Sequence, residues 1–141
     1  MKVLSVDYGS KRVGLASGDS ANGVAFPKAV LKGGNDEVVV GAILDICEEE
    51  GYGLVVFGLP LDMSDEKGEQ YKIVEGFVDG FRKEVSARGV ELEIDTVDER
   101  LSSFEADQYL NDFKGAKVRK KDGDRDMLAA KVILERWFAK R

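Results

Sequence analysis

Val3-Leu4-Ser5-Val6-Asp7-Tyr8-Gly9-Ser10-Lys11-Arg12-Val13-Gly14-Leu15-Ala16-Ser17 is the stretch from which the fold is read. Residues 3–6 are a short aliphatic and β-branched run that ends on a carboxylate. Residues 8–12 carry turn chemistry around Gly9, and residues 13–17 read as a returning strand. A second turn cluster at residues 18–23 leads into a third strand over residues 24–31. Pro27 lies inside that strand and predicts an edge position or a bulge, because proline cannot donate to a sheet ladder. Three strands joined by tight turns make an antiparallel meander.

Beyond the meander the period changes. Val40, Ile43, Leu44 and Cys47 fall at i, i+3, i+4 and i+7, which predicts a helix beginning near Asp36 and closed by Gly51 and Gly53. Leu54-Val55-Val56-Phe57 is continuously apolar, as in a strand covered on both faces. After a loop over residues 58–68, Val74, Phe77, Val78, Phe81 and Val85 mark a second helix, stopped at Gly89. Residues 90–97 alternate Leu92, Ile94 and Thr96 with acids, as in a strand near an edge. Ser102 with Glu105 forms a capping-box pattern for a helix over residues 103–112. The basic segment up to Gly123 reads as a loop, and Ala130, Ile133, Leu134, Trp137 and Phe138 line a last helix. The order β-β-β-α-β-α-β-α-α predicts an α/β fold, a mixed sheet of five strands with helices on both faces, in a single domain over residues 1–141.

A chain of 141 residues can bury about 68–70% of its unfolded surface, enough for a core without disulfides. Cys47 is the single cysteine, so no internal disulfide is available. The longest apolar run, residues 54–61, is too short to cross a bilayer, and the N-terminus has no cleavable signal pattern; a cytoplasmic protein without membrane partners is expected. The absence of histidine excludes Ser-His-Asp triads, Cys-His pairs and histidine zinc sites. Acid–base or metal chemistry therefore falls to the 27 Asp and Glu residues or to lysine. A net charge of −6 argues against a basic nucleic-acid-binding surface, but the charge is unevenly distributed. Lys114, Lys117, Arg119, Lys120 and Lys121 lie within eight residues that hold no acid.

Three acidic positions stand out. Asp7 ends the first strand, where α/β sheets present ligand sites; its plainer reading is a turn-forming aspartate. Asp98-Glu99-Arg100 ends another strand, where Asp98 could cap and Arg100 could pair with Glu99. Asp126 lies three, four and seven residues before Ala129, Ala130 and Ile133, on the apolar stripe of the last helix. A carboxylate on that stripe needs a partner, either a shared site or an ion pair to Arg12 or Arg100. Acids converging from two strand ends and one helix make a hard oxygen site suited to Mg²⁺ or Mn²⁺. With two ions, such a site hydrolyses phosphodiesters without histidine.

Asp7-Tyr8-Gly9-Ser10-Lys11-Arg12-Val13-Gly14-Leu15-Ala16, Val56-Phe57-Gly58-Leu59-Pro60-Leu61, Asp98-Glu99-Arg100-Leu101-Ser102-Ser103 with Glu105-Ala106, and Asp126 with Ala129-Ala130 and Ile133-Leu134 together resemble the YqgF/RuvX family. Its members are Holliday-junction-resolvase-like proteins also described as pre-16S rRNA processing nucleases. The resemblance runs nearly the length of the chain, with the motifs in order. It implies a ribonuclease H-like fold, an acidic site for Mg²⁺ or Mn²⁺, and a nucleic-acid substrate, RNA before branched DNA. By the same resemblance Asp7, Glu99 and Asp126 match the catalytic, metal-binding acids, with Asp98 competing for the middle position. Three positions depart from the family pattern: Ser102 and Ser103 replace threonines, and Asp62 replaces a common asparagine. Lys11, Arg12 and Arg100 beside the acids, and Lys117, Arg119, Lys120 and Lys121 in the basic run, are the candidates for phosphate contacts.

Other readings compete. An Asp-x-Gly turn also opens ATP-binding modules of the actin and sugar-kinase type, but those close two lobes over nucleotide and this chain offers one. A Holliday-junction-type resolvase, or a non-catalytic nucleic-acid-binding member of the same fold, would share these motifs. A two-fold junction cutter needs a dimer, whereas an RNA processor does not; a monomer or weak homodimer is expected.

Overall fold

The computed structural model describes residues 1–61, 67–99 and 122–141; the Glu99 and Asp122 side chains lie outside that description. Its elements are β1 (Lys2–Asp7), β2 (Arg12–Asp19), β3 (Val24–Lys32), α1 (Asp36–Glu50), β4 (Tyr52–Pro60), α2 (Glu69–Arg88), β5 (Glu93–Glu99) and α3 (Asp122–Ala139). The strands form one mixed sheet in the order β3-β2-β1-β4-β5. The meander pairs antiparallel, while β4 joins β1 and β5 joins β4 in parallel. The expected five-stranded sheet with helices on both faces is what the chain forms. Among the described residues no helix is long and apolar enough to cross a membrane.

Alternation along each strand sends side chains to two different environments. Leu4 and Val6 of β1, Val13 and Leu15 of β2, and Val55, Phe57 and Leu59 of β4 meet α1 and α2. Ile43 and Leu44 of α1 and Phe77 and Phe81 of α2 complete this core, with the Phe57 and Phe81 rings edge-on at 5.1 Å. Each such large apolar side chain contributes about 1.5–3 kcal/mol on burial. α1 starts where the Asn35 side chain accepts the Val38 N–H at 3.3 Å, and it stops at Gly51, whose left-handed backbone (φ 76°) favours glycine.

On the opposite face, α3 packs Ile133, Leu134 and Trp137 against Val3, Leu54, Val56 and Val97. The sheet is stripped here. β2 presents Gly14, Ala16 and Gly18, and β4 presents Gly58. A Cβ on Gly14 would run into the Asp126 backbone, one on Gly18 into the Phe138 ring, and one on Gly58 into Ile133. The helix therefore lies almost on the sheet backbone. The fully buried Ser5 hydroxyl fastens it, donating to the Ala130 carbonyl at 2.6 Å.

Several boundaries differ from the sequence reading, and the strands run longer than their apolar runs: β4 continues to Pro60 in register with β5, so residues 58–60 are strand and not loop. Gly53 lies inside β4 and does not close α1, since Gly51 already ends the helix by donating its N–H to the Cys47 carbonyl. β5 begins at Glu93 and not at residue 90, because the Val90 N–H is taken by the Val85 carbonyl at the end of α2. The last helix begins at Asp122, so Gly123 and Asp124 are helical and not loop; acidic residues in a first turn suit the positive end of the helix dipole. Pro27 satisfies both of its options. β3 is an edge strand, and its register slips where Leu15 pairs with Ala29 but Ala16 pairs with Pro27. The helix expected over residues 103–112 lies outside the described residues.

Candidate active site

Asp7 and Asp126 come together through three backbone facts. Asp7 has the parity of Val3 and Ser5 on β1, and so belongs to the α3 face. It pairs with Gly14 across the β1–β2 ladder. Gly14 in turn lies directly beneath the Asp126 backbone. The Ser5–Ala130 hydrogen bond repeats the same alignment further along, Ser5 two residues before Asp7 and Ala130 one helical turn after Asp126. Both carboxylates are partly buried.

Arg12 opens β2 beside them. Its Nε donates to Asp126 Oδ2 at 2.7 Å, a charge-assisted bond, so the ion pair foreseen for Asp126 forms with Arg12. Lys11, one residue earlier in the turn, is exposed. The turn is held from the other side of the sheet. The Tyr8 ring lies 4.4 Å from Phe77, and its hydroxyl donates to Asp36 Oδ1 at 2.6 Å. Burial first, then the Asp36 carboxylate, pushes the Tyr8 phenol up to about 12, so it remains a neutral donor at physiological pH.

The end of β5 separates its two acids. Asp95 and Val97 belong to the α3 face, where Asp95 accepts the Trp137 indole N–H at 2.8 Å and Val97 packs in the smaller core. Asp98 has the opposite parity. The buried Tyr71 hydroxyl of α2 donates to Asp98 Oδ1 at 3.2 Å, and burial with this carboxylate raises the Tyr71 phenol. Asp98 is thus held on the α1/α2 face, away from Asp126. Position 99 has the parity of Asp95 and Val97, and its backbone pairs with Pro60; its side chain lies outside the described residues. So do Arg100, Lys117, Arg119, Lys120 and Lys121. Trp137 is core, as expected.

The donor set bears on a metal. Two carboxylates from different elements, at one end of the sheet, are hard oxygen donors of the kind Mg²⁺ and Mn²⁺ take. Among the described residues no three of His, Cys, Asp or Glu could together hold an ion. A groove of about 570 Å³ lined by Phe26, Pro27, Met127 and Leu128 lies between β3 and α3. The carboxylates sit outside it, near an exposed turn, as an extended polymer would require.

Sequence reading missed Ser5, Gly14 and Tyr71. Ser5 looked like one polar residue in a strand, and Tyr71 lay outside the apolar stripe read for its helix. Gly14, Ala16 and Gly18 did carry a signal, since small residues at every second position mark a sheet face that something approaches closely.

The family profile described as RuvX, Holliday junction resolvase, matches residues 1–140. A protein of Maridesulfovibrio salexigens named "Putative pre-16S rRNA nuclease" is 40% identical over 140 residues, covering 99% of both chains. One of the same name from Rickettsia typhi is 35% identical, covering 94% of this chain and 81% of its own. Among solved structures, T. thermophilus RuvC in complex with a Holliday junction substrate superposes with a TM-score of 0.61 at 15% identity, covering 100% of this chain and 96% of the other. At that identity the likeness is one of fold.

Proposed function

The chain belongs to the RuvX family and is a nuclease of ribonuclease H-like fold; on that premise we propose that it hydrolyses phosphodiester bonds of ribosomal RNA precursors at a divalent-metal site made by Asp7, Asp126 and Glu99. The observation that carries the site is the stacking of Asp7, Gly14 and Asp126, which puts two carboxylates from β1 and α3 at one end of one sheet face. The parity of β5 favours Glu99 over Asp98 for the third position, since Asp98 is engaged by Tyr71 on the other face. Full-length similarity to proteins named for pre-16S rRNA supports RNA as substrate. The family's description as Holliday junction resolvase supports branched DNA as the second reading.

Two bound Mg²⁺ or Mn²⁺ ions would supply an activated water and stabilise the leaving oxygen. The protein's own residues position the strand. Asp7 and Asp126 set the negative pole of the site, and Arg12 and Lys11 flank it with cations able to take phosphate oxygens. In this proposal Arg100 and the basic run with Lys117, Arg119, Lys120 and Lys121 hold the substrate backbone. A single chain suffices for RNA, whereas symmetrical junction cleavage would need two.

The test is cleavage by the purified protein, with Mn²⁺ or Mg²⁺, of single-stranded RNA, precursor rRNA and four-way DNA junctions. Metal-dependent cutting of RNA that Asp7→Asn and Asp126→Asn each abolish is expected. Preferential cutting of the junction by a dimer would establish the resolvase reading instead. Nucleic-acid binding with no cleavage of any substrate, in either metal, would leave a non-catalytic member of the fold.

A further inference from the structure

Arg12 stands between two possible partners. Its guanidinium is bonded to Asp126 at 2.7 Å, yet its side chain is 44% exposed, in the turn that also carries Lys11, while the Asp126 side chain is 21% exposed. A guanidinium on this carboxylate opposes a divalent cation there in two ways. It occupies lone pairs that a metal would use, and it places a positive charge close to the metal's position. It also offsets part of the repulsion between the carboxylates of Asp7 and Asp126 when no cation is shared between them. An arriving phosphodiester offers Arg12 another anion, which a planar guanidinium binds well. Because the Arg12 side chain is half-exposed, the exchange swaps one anionic partner for another without carrying the guanidinium out of a buried site.

We propose that Arg12 and the divalent cation compete for Asp126, so that Arg12 moves from the carboxylate to a substrate phosphate as the metal site forms. This rests on the metal-site reading above. It makes Arg12 a positioning residue that couples metal binding to nucleic-acid binding. By linkage, whatever draws Arg12 away from Asp126 raises metal affinity, and metal binding raises affinity for the phosphate by the same factor.

The experiment titrates Mn²⁺ alone into the full chain without nucleic acid and reads free Mn²⁺ by electron paramagnetic resonance. Arg12→Gln should bind Mn²⁺ roughly three- to tenfold tighter than the wild type, the range expected for removing one nearby, partly screened positive charge. Arg12→Lys, which keeps the charge, should stay close to the wild type. In the wild-type chain a single-stranded phosphorothioate oligonucleotide should raise Mn²⁺ affinity, and by a larger factor than in Arg12→Gln. The wild-type measurement stands even if a variant folds poorly. Mn²⁺ binding that is abolished by Asp126→Asn but unchanged or weakened in Arg12→Gln overturns the exchange and leaves the metal site standing. An oligonucleotide without effect on wild-type Mn²⁺ affinity overturns it equally. Mn²⁺ binding indifferent to Asp126→Asn overturns the metal site itself, and the exchange with it.

Discussion

The two faces of the sheet are built to different ends. Toward α1 and α2 the strands present Leu4, Val6, Val13, Leu15 and Phe57, and the helices answer with Ile43, Leu44, Phe77 and Phe81. Toward α3 the strands present Val3, Leu54, Val56 and Val97 to Ile133, Leu134 and Trp137, but Ser5, Gly14, Ala16, Gly18 and Gly58 interrupt that layer, and there the helix backbone comes down on the sheet. The first face gains more from apolar burial. The second gives up side-chain volume on the sheet, and in return the helix start is held at a fixed, short distance from the end of β1. A carboxylate on a helix can meet one on a strand only if no bulky layer separates them. Stability and placement of the site are thus largely assigned to opposite sides of one sheet.

Substitutions on each side can break that division or sharpen it. The largest effect on stability should come from the thick face: Phe81→Ala should lower unfolding free energy by about 3–5 kcal/mol, the range for truncating a buried aromatic. Cleavage per folded molecule, measured well below its lowered melting temperature, should nonetheless stay near the wild-type value. A comparable loss of specific activity would show that the two faces are not separable. Gly14→Ala should do the converse. Its Cβ meets the Asp126 backbone, and such overpacking costs about 1–3 kcal/mol by chemical denaturation. Specific activity should fall further, by about a hundredfold for a displacement near 1 Å. An active, unaltered Gly14→Ala protein would mean that the helix is not held where the site needs it.

Smaller effects probe the fastening itself. Ser5→Ala removes one buried hydrogen bond to Ala130 and should cost about 1 kcal/mol, with a proportionate rise in the amide exchange rates of α3 and little change in those of α1. Uniform loosening of α1, α2 and α3 alike would contradict the local role given to Ser5. The smallest change in stability is expected for Asp7→Asn. It abolishes cleavage while leaving the melting temperature of metal-free protein unchanged or slightly raised, because it relieves carboxylate repulsion. A marked loss of stability would instead make Asp7 a structural residue of the turn.

Much of the fold was legible in advance, for local reasons. The alternation in residues 3–17, the i, i+3, i+4, i+7 spacing around Ile43, and the apolar run Leu54-Val55-Val56-Phe57 each report the period of their own backbone. Errors fell at boundaries, where a single cap decides: Gly51 for α1, and the Val90 N–H for the start of β5. Of the proposed site, Asp7 and Asp126 could be singled out as candidates because each sits at a position with a periodic context, a strand end and an apolar helical stripe. Asp98 and Glu99 could not be separated, since adjacent strand residues always face opposite ways and the sequence does not say which way the site lies.

The sequence by itself determined the elements, their order, the carboxylate chemistry left by the absence of histidine, and the resemblance that runs through four motifs. Those properties are local or compositional, and they survive without knowledge of what packs where. The tertiary structure decided the rest. It set α3 on the face of Asp7 by way of Gly14, gave Asp126 to Arg12, and gave Asp98 to Tyr71. Each of those outcomes is a contact between residues distant in the chain, and such a contact is fixed by the register of the strands and the side of the sheet a helix covers. No periodicity within either segment contains that information.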